Sequence, residues 1–236
     1  MQKVHCEWGP NGVEILRDRV AVVVIVDVLS FSTAVDVAVH RHARIHPFPY
    51  GDEDAARAEA ARLGVRLAAS RKAGGQLSLS PASLMKLNPG ERLLLPSPNG
   101  SRLSLACGKA IVLAGCLRNA QAVAAKARAL AEGGDVAVIP AGERWADGSL
   151  RPAIEDLIGA GAIIEALDLP DEPEALVARE AFRSAKPHLG ETLRGCRSGQ
   201  ELIGREHAMD VEIALELNVS HCAPLLKNGA YEDAAA

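Results

Sequence analysis

The chain is poor in aromatic residues and has no strongly basic segment. Phe, Trp and Tyr make up 3% of its 236 residues, which is too few for the stacking platforms that bind single-stranded nucleic acid. The formal net charge is −4, and no run of Lys and Arg is longer than a pair, whereas duplex-binding proteins present a basic face. We therefore expect no nucleic-acid partner.

Long apolar runs and paired cysteines are also missing. No apolar run reaches the ~18 residues that a membrane span requires, and the opening residues MQKVHCEWGPNG lack the apolar core of a signal peptide. We expect no membrane partner and a cytoplasmic location. The five cysteines include no CxxC pair, so we expect reduced and mostly buried thiols in place of a zinc site or a disulfide framework.

Apolar, β-branched segments alternate with alanine-rich helical ones. The predicted strands cover residues 20–28, 43–48, 93–95, 110–113 and 136–139, with a weaker candidate at 65–68. The predicted helices cover residues 52–63, 118–131, 154–167, 173–184 and 205–217. Continuous apolarity is typical of strands that are covered on both faces. The pattern predicts an α/β fold, a three-layer α/β/α arrangement with a mostly parallel sheet.

The sequence contains no linker, low-complexity segment or repeat. We therefore predict a single domain over residues 1–236, with a helical C-terminal portion from about residue 185. The apolar stretch VEIALEL in that portion fits either a homodimer contact or packing within the chain.

Four predicted strands end in polar residues. Because ligands of parallel sheets bind at the carboxyl ends of the strands, we expect these residues to lie at one edge. They are Asp27, Ser32 and Thr33 after the first strand, Ser97, Asn99, Gly100, Ser101 and Arg102 after the third strong strand, Arg118 and Asn119 after the next, and Glu143, Glu155 and Asp156 after the last. Hydroxyls, a tight turn, arginines and carboxylates together indicate a site for a phosphorylated ligand and a divalent cation.

Each of these groups also has a purely structural explanation. Asp27 could cap the helix that follows it, and the segment from Ser97 to Arg102 could be only a turn and a helix start. Glu155 and Asp156 fall in a first helical turn, where acids interact favourably with the helix dipole. The functional interpretation depends on all the groups meeting at one edge.

Familiar phosphate-binding motifs are absent. The chain has no GxxxxGK[ST] loop, and Leu29 stands two residues after Asp27, where haloacid dehalogenase-type phosphatases carry a second Asp. The segment Gly159-Ala160-Gly161 lacks the third glycine of a dinucleotide fingerprint and falls inside a predicted helix. We expect its small residues to let that helix approach the sheet closely.

Five blocks of sequence resemble the 2-phosphosulfolactate phosphatase family, which has a ComB-like fold. In order they are VVVIVDVLSFSTAV, SPNGSRLSLA, AGCLRNAQAVA, IPAGE followed by EDLIGAGAII, and SGQELIGREHAMDVEIALELNVSHCAPLL. The resemblance covers nearly the whole chain. It implies Mg²⁺-dependent hydrolysis of 2-phospho-3-sulfolactate to 3-sulfolactate and phosphate.

The resemblance also implies roles for single residues. It matches Asp27 to the acid after the family's first strand, Asn99 to Arg102 to its Asn-Gly-Thr-Arg turn, and Asp210 to an Asp in its C-terminal helix. Together with the pattern above, the predicted catalytic residues are Asp27, Arg102 and Glu155, and the predicted Mg²⁺ ligands are Asp27, Glu155 and Asp156. The predicted phosphate-binding residues are Ser32, Thr33, Ser97, Asn99, Gly100, Ser101, Arg118 and Asn119, with Glu143 as a further candidate for the site.

The chain departs from the family pattern in three places. Ser30 and Phe31 stand where the pattern has Arg and Ala, residues 69–71 lack its acid, and residues 76–81 lack its Asp and Asn. These departures leave two alternatives open beside the family activity: a phosphatase with a different small phosphorylated acid as substrate, and a non-catalytic binder of a phosphorylated metabolite. The nucleophile is also open, either a metal-polarised water or Asp27 itself.

Overall fold

A computed structural model of the chain describes residues 2–71 and 76–234. The strands are β1 (Val4–Cys6), β2 (Val22–Val26), β3 (Arg44–Pro49), β4 (Arg66–Leu67), β5 (Arg92–Ser97), β6 (Ile111–Gly115), β7 (Val136–Pro140), β8 (Glu143–Arg144), β9 (Leu150–Arg151), β10 (Pro224–Lys227) and β11 (Ala230–Asp233). The α-helices are α1 (Gly9–Leu16), α2 (Phe31–His40), α3 (Glu53–Leu63), α4 (Pro81–Leu84), α5 (Gly100–Ala106), α6 (Ala120–Leu130), α7 (Ile154–Leu167), α8 (Pro173–Ala185), α9 (Leu189–Gly195), α10 (Arg197–Gly204) and α11 (Ala208–Ala214).

The main sheet joins two parallel groups of strands through an antiparallel hairpin. Its order is β1-β7-β2-β6-β10-β11-β3-β5-β4. The first four strands are parallel to one another, as are the last three, and β10 and β11 are antiparallel to their neighbours. The predicted α/β class with a mostly parallel sheet is confirmed. The two groups run in opposite senses along the sheet, which the sequence did not reveal.

The sheet is strongly coiled. Strands β2 and β5 stand five places apart, which in a flat sheet would separate them by about 24 Å at ~4.8 Å per strand. Yet the Gly100 amide, just after β5, donates to Asp27 Oδ2, just after β2, at 2.9 Å. Twist accumulated over five strands therefore brings the two strand ends together. The residues after β5 therefore reach the expected meeting point through coiling, whereas β2 and β7 are parallel neighbours whose ends share an edge directly.

Alternate residues of the central strands face different hydrophobic clusters. Val24 of β2 packs in the cluster that contains the apolar residues of α6 and α7, and Ile25 packs in a second cluster on the opposite face. In β5, Leu95 belongs to the same second cluster as Ile25, whereas Leu94 packs with residues of α3 in a small third cluster. One core is thus shared by the two halves of the sheet.

Local sequence signals explain the better predicted helices. The Asp52 side chain accepts a hydrogen bond from the Ala55 amide at 2.8 Å and caps α3, and Gly64 ends that helix at a φ of 63°, which glycine adopts readily. A Cβ on Gly159 of α7 would lie 2.6 Å from Val28 Cγ2. The close approach of this helix to the sheet is therefore confirmed.

Each predicted strand overlaps an observed one, but β1, β8, β9, β10 and β11 were missed. The C-terminal portion after residue 185 is helical only as far as Ala214, because the chain then returns to the sheet as β10 and β11. All five cysteines are free, and four of them are buried, as expected. Among the described residues, no helix combines the length and apolarity needed to cross a membrane.

Candidate active site

Asp27 is the first residue after β2 and is 6% exposed. Its Oδ1 accepts a hydrogen bond from the Phe31 amide at 3.1 Å, and its Oδ2 accepts one from the Gly100 amide at 2.9 Å. Hydrogen bonds to amides stabilise a carboxylate that is removed from water. The predicted capping contact with the following helix is therefore present, together with a second bond from a distant segment.

Asp156 links the ends of β2 and β7. It lies in the first turn of α7, where its Oδ1 accepts from the Val28 amide at 2.7 Å and its Oδ2 accepts from the Gly142 amide at 2.9 Å. Asp156 and Asp27 thus have the same arrangement, in which each carboxylate oxygen receives one main-chain N–H. Because a carboxylate oxygen has two lone pairs, each oxygen retains accepting capacity.

Two glutamates complete a carboxylate cluster, which we define as Asp27, Glu143, Glu155 and Asp156. Glu143 lies on β8, and its Oε2 accepts from Asn99 Nδ2 at 2.9 Å. Glu155 precedes Asp156 in α7 and is 2% exposed. The cluster therefore joins the ends of three strands and the start of one long helix.

The cluster is electrostatically crowded. Burial raises the pKa of Asp27 most, the amides of Phe31 and Gly100 oppose that rise, and Glu155 adds to it. Burial, followed by the charges of Asp27 and Glu155, raises the pKa of Asp156 well above its ordinary value. Perturbed carboxyl groups of this kind are concentrated at functional sites.

Glu143 is the member of the cluster that reaches solvent. Burial and then the Asp27 charge raise its pKa to about 7, against the opposing hydrogen bond from Asn99. It lines an open pocket, whose wall also includes Asn99 and Arg102. Arg102 is exposed at this pocket, which places it beside Glu143 as a residue that an incoming ligand can contact.

Several predicted phosphate-binding groups have main-chain partners instead. The hydroxyls of Ser32, Thr33 and Ser101 donate to the carbonyls of Ile25, Val28 and Leu95 at 2.9, 2.8 and 2.9 Å, respectively. The Gly100 amide is bound to Asp27. Ser97 Oγ is buried and has no hydrogen-bond partner among residues 2–71 and 76–234. The first four groups therefore hold the site together through these contacts, and their predicted contact with phosphate stays a prediction.

Arg118 and Asn119, which were also predicted to bind phosphate, have partners within the protein. Arg118 Nε donates to Asp36 Oδ2 at 2.9 Å, and the same guanidinium pairs with Glu216. Asn119 Oδ1 accepts from the Cys116 amide at 2.8 Å. These contacts fix the start of α6 against α2 and the segment after α11 and give the two residues a structural role. Phosphate binding by them stays a prediction.

A guanidinium that sequence reasoning did not select lies beside the cluster. Arg71 Nη2 donates to Ser30 Oγ at 2.6 Å and to the Leu79 carbonyl at 3.1 Å, and it lies 3.6 Å from Asp210 Oδ2. Its charge lowers the pKa of Asp27, against the larger effect of burial. Sequence reasoning touched Arg71 only as part of the segment 69–71 that lacks the family's acid, because Ser30 and Asp210 meet its side chain only through the tertiary fold.

The cluster has the donor chemistry of a hard divalent cation, since all its side-chain donors are carboxylate oxygens. Across the part of the chain that the structure describes, no three His, Cys, Asp or Glu side chains are arranged as a ready-made metal site. Mg²⁺ is commonly held by only one or two carboxylates, with water and substrate phosphate as its other ligands. Asp27 and Asp156 retain the lone pairs for this, so the residues fit such an ion.

Two comparisons with known proteins identify the family of this chain. The family model for 2-phosphosulpholactate phosphatase matches residues 12–229. A 2-phosphosulfolactate phosphatase from Methanothermobacter thermautotrophicus is 32% identical over 216 residues, which cover 89% of this chain and 88% of that protein. Both comparisons span the carboxylate cluster and the segments that position it. The chain belongs to the 2-phosphosulpholactate phosphatase family, whose name describes phosphoric monoester hydrolases.

Proposed function

We propose that the protein hydrolyses the phosphomonoester of a small organic acid, and that 2-phosphosulfolactate is its substrate. Water is consumed, the ester P–O bond is broken, and the products are 3-sulfolactate and inorganic phosphate. The observation that carries the proposal is the carboxylate cluster, in which burial and mutual repulsion raise the pKa of Asp27, Glu143 and Asp156, and whose member Glu143 lines an open pocket. Family membership supports the choice of substrate.

Glu143 is suited to proton transfer. A catalytic acid or base works best when its pKa lies near the working pH, and the pKa of Glu143 is raised to about 7. The Asn99 amide group fixes Glu143 Oε2 at the pocket wall. In this role Glu143 donates its proton to the alcohol oxygen as the ester bond breaks, or accepts a proton from the attacking water.

Asp27 is held in one orientation by two amides from separate segments. It either attacks phosphorus directly, forming an aspartyl phosphate that water then hydrolyses, or orients the water that attacks. A single turnover with phosphoryl-labelled substrate, quenched in acid and resolved on a denaturing gel, separates these routes. Label retained by the wild-type chain and absent from Asp27→Asn supports direct attack, and label found only in free phosphate supports attack by water.

Magnesium dependence forms part of the proposal, with Asp27 and Asp156 as ligands and Glu155 within reach. A divalent cation bound there supplies charge neutralisation at the phosphoryl oxygens and polarises water. Hydrogen bonds from main-chain amides to Asp27 and Asp156 hold the two carboxylates in place whether or not the cation is bound. Arg102, at the pocket wall, supplies positive charge toward a bound phosphoryl group.

The decisive experiment measures phosphate release by purified protein from 2-phosphosulfolactate and from a panel of phosphorylated hydroxy acids, with Mg²⁺ and with EDTA. We expect Mg²⁺-dependent release from 2-phosphosulfolactate, its loss in Asp27→Asn, and normal release by Asp54→Asn, a control acid on the exposed face of α3. Phosphate release from another phosphorylated acid, and not from 2-phosphosulfolactate, would mean that the other acid is the substrate. No release from any compound, with phosphate still bound, would favour a metabolite-binding protein.

A further inference from the structure

Arg71 is a partly buried cation with hydrogen-bonding capacity left over. A guanidinium carries five N–H donors, and the contacts of Arg71 Nη2 are with Ser30 Oγ and the Leu79 carbonyl. Its Nε is buried and has no hydrogen-bond partner among residues 2–71 and 76–234. The side chain is nevertheless 22% exposed, so a ligand can reach it. A buried donor without a partner is costly unless something binds to it.

The carboxylate that faces Arg71, that of Asp210, also has an atom without a hydrogen-bond partner. Asp210 is 1% exposed, and its Oδ2 has no hydrogen-bond partner in the described part of the chain, although it lies 3.6 Å from Arg71 Nη2. Its Oδ1 accepts from Ser80 Oγ at 2.5 Å and from the Ala82 amide at 3.2 Å. Asp210 is thus fixed by one oxygen and aims the other at the guanidinium, at a distance too long for a hydrogen bond.

Arg71 is attached to the same turn as Asp27. Ser30, which accepts its hydrogen bond, comes directly before Phe31, whose amide binds Asp27. Burial lowers the pKa of the Arg71 guanidinium most. The charges of Asp210, Asp27 and Glu143, in that order, act to raise it, and the like charge of Arg205 acts to lower it. Arg71 therefore stands between the carboxylate cluster and Asp210, with a second guanidinium nearby.

From this arrangement we infer that Arg71 is the guanidinium that binds the anionic substrate, that a phosphoryl or acid oxygen of the substrate accepts from its free N–H groups, and that Asp210 is the residue that positions it. The inference rests on the proposed function and extends it by naming an arginine that binds the substrate. Arg118, which was predicted to bind phosphate, is hydrogen-bonded to Asp36. Arg71 suits the role, since a planar guanidinium donates two parallel hydrogen bonds to an oxyanion.

The first test compares Arg71→Gln with Arg57→Gln, a control that removes an exposed arginine of α3. We expect Arg71→Gln to raise KM for 2-phosphosulfolactate by about 10- to 100-fold, the loss expected for charge-assisted hydrogen bonds, and to weaken the binding of inorganic phosphate in calorimetry. Arg57→Gln should change neither. An Arg71→Gln variant that folds normally and keeps wild-type KM and phosphate affinity would overturn the inference.

A double-mutant cycle with Asp210→Asn separates positioning from simple structural support. If Asp210 acts through Arg71, the double variant Arg71→Gln/Asp210→Asn binds phosphate no more weakly than Arg71→Gln alone. Added guanidinium ion should partly restore activity to Arg71→Ala and leave Arg57→Gln unchanged. Additive losses, or absence of rescue in a folded variant, would contradict the pairing.

Failure of the role assigned to Arg71 can be distinguished from failure of the proposed function. If the wild-type protein releases no phosphate from any compound, the proposed reaction is wrong, while phosphate affinity that depends on Arg71 still supports an anion site. If the wild-type protein turns over and Arg71→Gln does so with unchanged KM, the reaction stands and the assignment of Arg71 is wrong.

Discussion

Helix α2 connects two buried aspartates with very different surroundings. Asp27 precedes the helix, is held by two amides, and shares its site with three other carboxylates, whereas Asp36 inside the helix faces the Arg118 guanidinium. Burial raises the pKa of both acids most. At Asp36 the opposing effects are the Ser220 hydrogen bond and the Arg118 charge, but at Asp27 a further carboxylate adds to the rise.

The contrast separates an acid that stabilises the fold from one that is available for chemistry. The charge of Asp36 is neutralised by the neighbouring Arg118, so its network connects helices. At Asp27 negative charge accumulates beside a pocket, a costly arrangement that a cation or an anionic substrate with its cation would relieve. Both look alike in sequence, as a lone acid in an apolar stretch.

The largest expected effect is on catalysis, from Asp27→Asn. We expect phosphate release to fall by about 10²- to 10⁴-fold, the range for loss of a catalytic acid-base or nucleophilic group. The free energy of unfolding should change by only about 1 kcal/mol, because a buried charge disappears while one amide loses its acceptor. Steady-state kinetics and urea denaturation measure the two quantities. Turnover within twofold of wild type would place the chemistry elsewhere.

The second effect is on stability, from Arg118→Met. This change leaves Asp36 buried without its charge partner, so we expect a loss of about 3–5 kcal/mol in the free energy of unfolding. Activity per folded molecule should remain close to wild type. The loss should shrink as pH falls toward the ordinary pKa of Asp36, 3.8, because the unpaired carboxyl is then protonated. Urea denaturation at pH 5 and pH 8 tests this.

Adding Asp36→Asn to Arg118→Met supplies the control, since it removes the unpaired charge and should recover part of the lost stability. A wild-type urea midpoint for Arg118→Met alone would mean that the ion pair contributes nothing. A loss of activity per folded molecule would mean that Arg118 does touch the substrate.

An intermediate effect is expected from Gly100→Ala, which acts at the contact between the two halves of the sheet. The new Cβ would lie 2.1 Å from Phe31 Cδ1, so the segment must shift, at a cost of about 1–3 kcal/mol. That shift should also move the amide that binds Asp27 and lower turnover. Gly195→Ala is the matched control, because its added Cβ has no atom within 4 Å. Equal stability of the two variants would disprove the tight contact.

The last effect, on the pH dependence of stability, concerns Glu143→Gln. Since the pKa of Glu143 is raised from 4.5 to about 7, the folded protein retains a proton that the unfolded chain releases between these values. Its contribution to the free energy of unfolding is therefore neutral below pH 4.5 and increasingly unfavourable as pH rises to 7. Relative to wild type, Glu143→Gln should gain stability over that interval and then level off. Denaturation curves at five pH values that run parallel for the two proteins would contradict the raised pKa.

Sequence periodicity was sufficient for the central strands but not for the last two. The continuous apolar runs of β2 and β7 indicate strands that are covered on both faces, and α7 was placed at its observed bounds. In contrast, β10 and β11 carry the short mixed sequences PLLK and AYED, whose conformation depends on pairing with strands far away in sequence. Local patterns carry no information on such pairing.

The same distinction applies to the candidate site. Asp27, Asn99, Glu143, Glu155 and Asp156 follow strands or begin a helix, so their positions could be inferred and the structure brings them together. Arg118 occupies a similar sequence position, but its partner Asp36 decides its role. Arg71 follows a two-residue strand and contacts Asp210 only through the tertiary fold. Which arginine faces the acids is a question of side-chain packing, and no sequence spacing encodes it.

The hairpin of β10 and β11 also affects the order in which the protein can fold. These strands occupy the middle of the sheet but are synthesised last, between β6 and β3, which belong to the earlier part of the chain. During translation the two parallel groups therefore have no strand to join them until residues 224–233 have left the ribosome. Contacts of such long sequence separation form slowly, and the unpaired edges meanwhile are open to aggregation. Dependence on chaperones during synthesis is the expected consequence.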